Sequence, residues 1–146
     1  MNVLLIEDDI QLNTTVARFL ESKKFDVTKV FDGDDAIETI DSNNFDLYII
    51  DINIPHINGL DILNYIRQKD LTSPIIVITA STELQNFKNA FENGCNEFVK
   101  KPFYLEELKI RIDNLIKTND DTTINIADTI VFDMEKEELS IENTII

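Results

Sequence analysis

Tyr48-Ile49-Ile50-Asp51-Ile52-Asn53-Ile54-Pro55-His56-Ile57-Asn58-Gly59-Leu60 joins an apolar run to an acid and a turn. Phe45 to Ile50 is mostly apolar, as in a strand buried on both faces. The run stops at a carboxylate, Asp51. Pro55 blocks any continuing ladder, and Asn58-Gly59 is a turn signal. A buried parallel strand that ends in an acid and then a loop is where open α/β sheets place their chemistry.

The same grammar repeats on both sides of this segment. Upstream, Asn2 to Ile6 is a short apolar run that meets Glu7-Asp8-Asp9. Ile10 to Leu20 then has near-helical apolar spacing, with Asp9 placed to cap it. Phe25 to Phe31 reads as a strand and Asp32-Gly33 as a turn. Ala36, Ile37 and Ile40 mark a second helix. Downstream, Leu60 to Lys69 is helical, and Pro74 to Thr79 is a β-branched strand ending in a hydroxyl. Glu83 to Asn93 is a helix closed by Gly94. Glu97 to Lys100 is a fifth strand stopped by Lys101-Pro102, and Leu105 to Ile116 is a fifth helix. Five alternations of strand and helix predict an α/β, doubly wound, flavodoxin-like parallel sheet of order 2-1-3-4-5. Its crevice then lies between the ends of the first and third strands, where Glu7, Asp8 and Asp51 meet.

Residues 1–118 form this domain, residues 119–123 read as a polar linker, and residues 124–146 as short alternating strands of an antiparallel β segment. That apolar set is too small to fold alone. The expectation is a small sheet packed either on residues 1–118 or, the favoured arrangement, on a second copy of the chain, where its open edges pair.

The chain has 146 residues, 43% hydrophobic, with 13 Lys+Arg against 28 Asp+Glu and a formal net charge of -15. An acidic surface is a poor grip on nucleic acid or on an anionic membrane. No apolar run spans a bilayer, and the N-terminus lacks a signal-peptide pattern. The single Cys95 has no partner for an internal disulfide and no His or Cys cluster beside it. These features fit a reducing cytoplasm.

Three clustered carboxylates raise one another's pKa unless cations intervene. A hard ion such as Mg2+ suits one or two carboxylates and a phosphate oxygen. Lys101, at the end of the fifth strand, supplies a second cation. Phosphoryl transfer requires mainly positioning and charge neutralisation. Asp51 is then the nucleophile, Thr79 donates its hydroxyl to a phosphoryl oxygen, and small Ala80 leaves room for the incoming group.

Four pieces, Leu5-Ile6-Glu7-Asp8-Asp9, Asp51 through Pro55 to Gly59, Val77-Ile78-Thr79-Ala80 and Phe98-Val99-Lys100-Lys101-Pro102-Phe103, stand in one order and spacing. Together they make residues 1–118 resemble the receiver domain of a bacterial two-component response regulator. The resemblance implies phosphorylation of Asp51 by a sensor histidine kinase. It implies Mg2+ held by Glu7, Asp8, Asp51 and the carbonyl of Asn53. Thr79 and Lys101 would bind the phosphoryl group, and Thr79 and Phe98 would carry the switch. It also implies a homodimer and a signalling module, with no enzyme activity beyond self-phosphorylation and self-dephosphorylation. Residues 124–146 resemble the opening sheet of an OmpR-type winged-helix output domain, so DNA is expected to be bound only through a part that the sequence does not contain.

The sequence departs from that family at the face used for pairing. Glu97 and Arg111 fit its usual charge set, but Asn96, Asn114 and Phe87 replace an acid, a base and a base. Rival readings lack their motifs. A flavin protein wants a Ser/Thr/Gly-rich loop where Glu7-Asp8-Asp9 stands, and a haloacid-type phosphatase wants a second Asp where Asn53 stands. A phosphorylation-independent interaction module stays open as the alternative. His56 reads as a loop residue, Lys100 as a solvated strand-edge residue and Cys95 as a plain small residue.

Overall fold

The computed structural model describes residues 1–80 and 83–119; the proposed antiparallel segment at 124–146 and most of the linker lie outside the described residues. The elements run β1 (Asn2–Ile6), α1 (Ile10–Ser22), β2 (Asp26–Val30), α2 (Gly33–Ser42), β3 (Leu47–Asp51), α3 (Gly59–Lys69), β4 (Ile75–Thr79), α4 (Leu84–Glu92), β5 (Glu97–Lys100) and α5 (Leu105–Asn119). All strand pairs are parallel, in the order β2-β1-β3-β4-β5.

The order follows from composition. The central strands β3 and β4 are buried at every residue, and β1 at all but its first. The edges go to β2, with Asp26, Thr28 and Lys29, and to β5, with Glu97 and Lys100, whose polar side chains face water. Right-handed crossovers on this order put α1 on one face of the sheet and α2, α3 and α4 on the other. Leu4, Ile6, Tyr48, Ile50, Ile75 and Val77 pack with Ala36, Ile40, Ile62, Leu63, Ile66 and Ala90 of those three helices. The alternate residues Val3, Leu5, Leu47, Ile49, Ile76 and Ile78 are also buried.

Two expected turns are helix starts. Asp32 caps α2 by accepting from the Asp35 N–H at 2.9 Å, so Gly33 is already helical. Asn58 caps α3 in the same way, and Gly59 is its first residue. In both, the short polar side chain that suits a turn serves equally as an N-cap. Asp9 caps α1 as expected, and Gly94 follows α4 with φ +105°.

At the N-terminal ends of the strands, Arg67 ties several loops together. It donates to the carbonyls of Gly94, Asp70 and Ser73 at 2.8–3.0 Å and to Asn96 Oδ1 at 2.8 Å. Asn96 Oδ1 also accepts from the Ile75 N–H at 2.8 Å. Lys69 donates to the carbonyls of Ile40 and Asn43 at the end of α2.

Contacts divide the chain after Lys101. In the second unit, α5 carries Glu106 and Glu107 in its first turn and Lys117 in its last, which complements the helix dipole. The pairs Lys109–Asp113 at 2.7 Å and Arg111–Glu107 at 3.6 Å stand at i,i+4 spacing.

Candidate functional site

Strand register brings the site together. Ile6 pairs with Ile50, so Glu7 and Asp51 leave their strands side by side. Asp51 pairs with Ile78 and Thr79 with Lys100, which puts Thr79 and Lys101 at the same end of the sheet. This is the switch point, where β1 and β3 diverge toward opposite faces.

Glu7 and Thr79 are fully buried and Asp51 nearly so, whereas Asp8 is exposed. Lys101 Nζ bridges the two buried acids, donating to Glu7 Oε1 at 2.5 Å and Asp51 Oδ2 at 2.8 Å. The other oxygen of each acid takes a backbone N–H, Asp9 to Glu7 Oε2 at 3.2 Å and Asn53 to Asp51 Oδ1 at 2.9 Å. The Asn53 side chain reaches Thr79 Oγ1 at 3.5 Å, and the Lys101 N–H donates to the Thr79 carbonyl at 2.8 Å.

Carboxylate oxygens of Glu7, Asp8 and Asp51 lie within 4.8 Å of one another. An all-oxygen set of this kind fits a hard divalent ion, and exposed Asp8 leaves a side on which such an ion can keep its waters. Burial pushes the Glu7 carboxyl up to about 7; the Lys101 hydrogen bond opposes this and neighbouring Asp51 adds to it. Burial alone would lower the Lys101 ammonium, but its bonds to Asp51 and Glu7 outweigh that and raise it.

A pH dependence follows. The metal-free fold holds the Glu7 proton up to about pH 7, while the unfolded chain releases it near the ordinary value of 4.5. Its contribution to stability is therefore full below 4.5 and is lost as pH rises through 7. Between pH 5 and pH 8 the metal-free protein should lose roughly 1–3 kcal/mol from this group. Glu7→Gln should flatten that part of the curve in urea titrations, and equal slopes for both proteins would refute the assignment.

The remaining candidates are placed as follows. Phe98 is half-buried against the core, its ring 5.2 Å from that of Phe87, which in turn lies 4.9 Å from Phe91. Phe87 and Phe91 are exposed. His56, in the β3–α3 loop with φ +76°, sets Nδ1 3.0 Å from exposed Asp34. Cys95 is buried, and burial pushes its thiol up to about 12, consistent with an unreactive core residue. Sequence reasoning passed over Asn13. It is a fully buried polar residue on the apolar face of α1, and its position among Leu12, Val16, Ala17 and Leu20 was the available signal. No helix of the described residues is long and apolar enough to cross a membrane.

Comparison with known proteins agrees with this geometry. The chain is 35% identical to the transcriptional regulatory protein CiaR of Streptococcus pneumoniae, over 99% of this chain and 65% of CiaR. It is 38% identical to the transcriptional regulatory protein CrdR of Helicobacter pylori, over 82% of this chain and 55% of that protein. The chain thus spans about two thirds or less of these relatives. Among solved structures, the non-phosphorylated HemR receiver domain of Leptospira biflexa superposes with a TM-score of 0.75 at 34% identity, covering 80% of this chain and 94% of that one. TrrA of Thermotoga maritima, solved in complex with Mg(2+)-BeF, gives 0.71 at 27% identity, covering 78% and 97%. Residues 3–113 match the response regulator receiver domain as a family, and the chain belongs to it.

Proposed function

We propose that this chain accepts a phosphoryl group on Asp51 from a sensor histidine kinase. The observation that carries the reading is the single ammonium of Lys101 shared by two buried carboxylates, Glu7 and Asp51, at the switch point of the sheet. An Asp51 oxygen would form the bond to phosphorus while the phosphorus–nitrogen bond of a phosphohistidine breaks, and the imidazole leaves with a proton from solvent. Mg2+ bound by Glu7, Asp8, Asp51 and the Asn53 carbonyl would supply charge neutralisation on the phosphoryl oxygens. Lys101 would turn from Asp51 Oδ2 to one of those oxygens, and Thr79 would donate its hydroxyl to another. The inward pull on Thr79, together with Phe98 on the adjacent strand β5, would be the switch.

The output we favour is a change in homodimerisation that controls transcription. CiaR and CrdR are named as transcriptional regulatory proteins, and the chain matches both. DNA contact would belong to a winged-helix part whose first strands residues 124–146 resemble. Residues 1–118 would then be the receiver and 119–123 its linker, in a protein acting in the cytoplasm.

Intact-mass spectrometry with a small phosphodonor and Mg2+ tests the reading. The wild type should gain one phosphoryl group, and Asp51→Ala or removal of Mg2+ should abolish the gain. Equal labelling of Asp51→Ala would overturn the site. No labelling of the wild type would favour a phosphorylation-independent interaction module.

A further inference from the structure

We infer that Asn13 is a positioning residue for the metal site, acting through Glu7; this rests on the Mg2+ reading above. Asn13 lies in α1 and is fully buried. Its amide nitrogen donates to two carbonyls, Glu7 O at 2.9 Å and Val30 O at 3.1 Å. These stand on neighbouring strands of the sheet just where β1 and β2 end. The Glu7 N–H donates to the same Val30 carbonyl at 3.0 Å. Both backbone polar groups of Glu7 are thereby held, one by β2 and one by Asn13. Only the Glu7 side-chain torsions stay free, and Lys101 and the Asp9 N–H restrain the carboxylate at their far end.

The amide has no alternative orientation. Flipping it would turn its oxygen toward two carbonyl oxygens, and neither can donate. As it stands, Asn13 Oδ1 is buried with no hydrogen-bond partner among the described residues. An unpaired buried acceptor is unfavourable, and an apolar residue would suit the rest of this helix face better. A plain packing role therefore does not account for the residue, whereas fixing the backbone of a metal ligand does. Groups that orient metal ligands commonly set affinity by tenfold or more.

Isothermal titration of Mg2+ into the full chain decides this. The proteins compared are the wild type, Asn13→Leu and Val16→Ala. Val16 is also fully buried on α1, so its truncation loosens the same helix without touching Glu7. Asn13→Leu should weaken Mg2+ binding roughly tenfold, while Val16→Ala stays within about twofold of wild type at a comparable loss in unfolding midpoint. If Asn13→Leu does not fold, Asn13→Ser serves, since its hydroxyl is too short to span both carbonyls. Wild-type affinity in the Asn13 variant, or equal weakening in both variants, would overturn the positioning role. Absence of Mg2+ binding to the wild type would instead overturn the metal reading on which the role depends.

Discussion

Lys101→Met should lower the unfolding free energy of the metal-free protein by about 3 kcal/mol. The ammonium is the only cation bonded to Glu7 and Asp51 among the described residues, and the two acid side chains are almost wholly out of water. Removing it leaves two buried charges facing each other. Glu7 can escape by keeping its proton, because burial already pushes its carboxyl up to about 7. The loss should therefore be larger at pH 8 than at pH 6, where protonation relieves the repulsion. Asp51→Asn should do the opposite, stabilising the metal-free protein or leaving it unchanged, since it removes one of the repelling charges. Urea titrations in chelator at both pH values separate these outcomes. A Lys101→Met protein with the wild-type midpoint at pH 8 would refute the bridge. Where phosphorylation of Asp51 survives in this variant, it should no longer alter dimerisation, because the group expected to follow the phosphoryl oxygens is gone.

Gly59→Ala is the second severe change expected. A Cβ at Gly59 would stand 2.5 Å from Ile52 Cα, 2.7 Å from the Asp51 carbonyl oxygen and 2.8 Å from that of Ile52. All three are backbone atoms of the segment leaving β3, so no side-chain rotation relieves the clash. The Gly59 N–H also donates to the Ile52 carbonyl at 2.9 Å, which holds the start of α3 against that segment. We expect a loss of about 3 kcal/mol or more, at the upper end of overpacking effects. The displaced atoms adjoin Asp51, so Mg2+-dependent labelling should also fall in whatever fraction stays folded. Chemical denaturation and the mass assay measure the two effects. A midpoint unchanged from wild type would show that α3 can retreat from the strand.

Much of this was legible in the residues themselves. The all-apolar runs at Val3–Ile6, Leu47–Ile50 and Ile75–Ile78 announced central strands, and the acids and hydroxyl that end them meet at one end of the sheet. The edge strand β2 reads a residue too long at each end, since Phe25 and Phe31 have the right character but lie beyond the ladder, whereas β5 keeps its expected bounds. Asp32-Gly33 and Asn58-Gly59 were ambiguous in principle, because the same residues serve turns and helix starts. The close approach at Gly59 depends on how a helix meets a strand far from it in local geometry, which no local pattern encodes. Asn13 escaped for a related reason. Its partners, Glu7 O and Val30 O, are backbone atoms made neighbours only by the sheet. The pairing of Lys101 with buried Glu7, rather than with exposed Asp8, likewise depends on which side each consecutive acid faces.

The Arg67 and Lys69 contacts carry a mechanical consequence. Both side chains gather carbonyls at the N-terminal ends of the strands, opposite the acids. The guanidinium holds the turns that precede β4 and β5, and the ammonium holds the end of α2. A push delivered at Thr79 or Phe98 therefore acts on strands clamped at their far ends. Such strands cannot slide along their axes as rods. They yield where they are not clamped, as a fixed beam bends at its free tip. Motion at the acidic end would thus be directed into the tips of β4 and β5, with the opposite end of the sheet as the fixed frame.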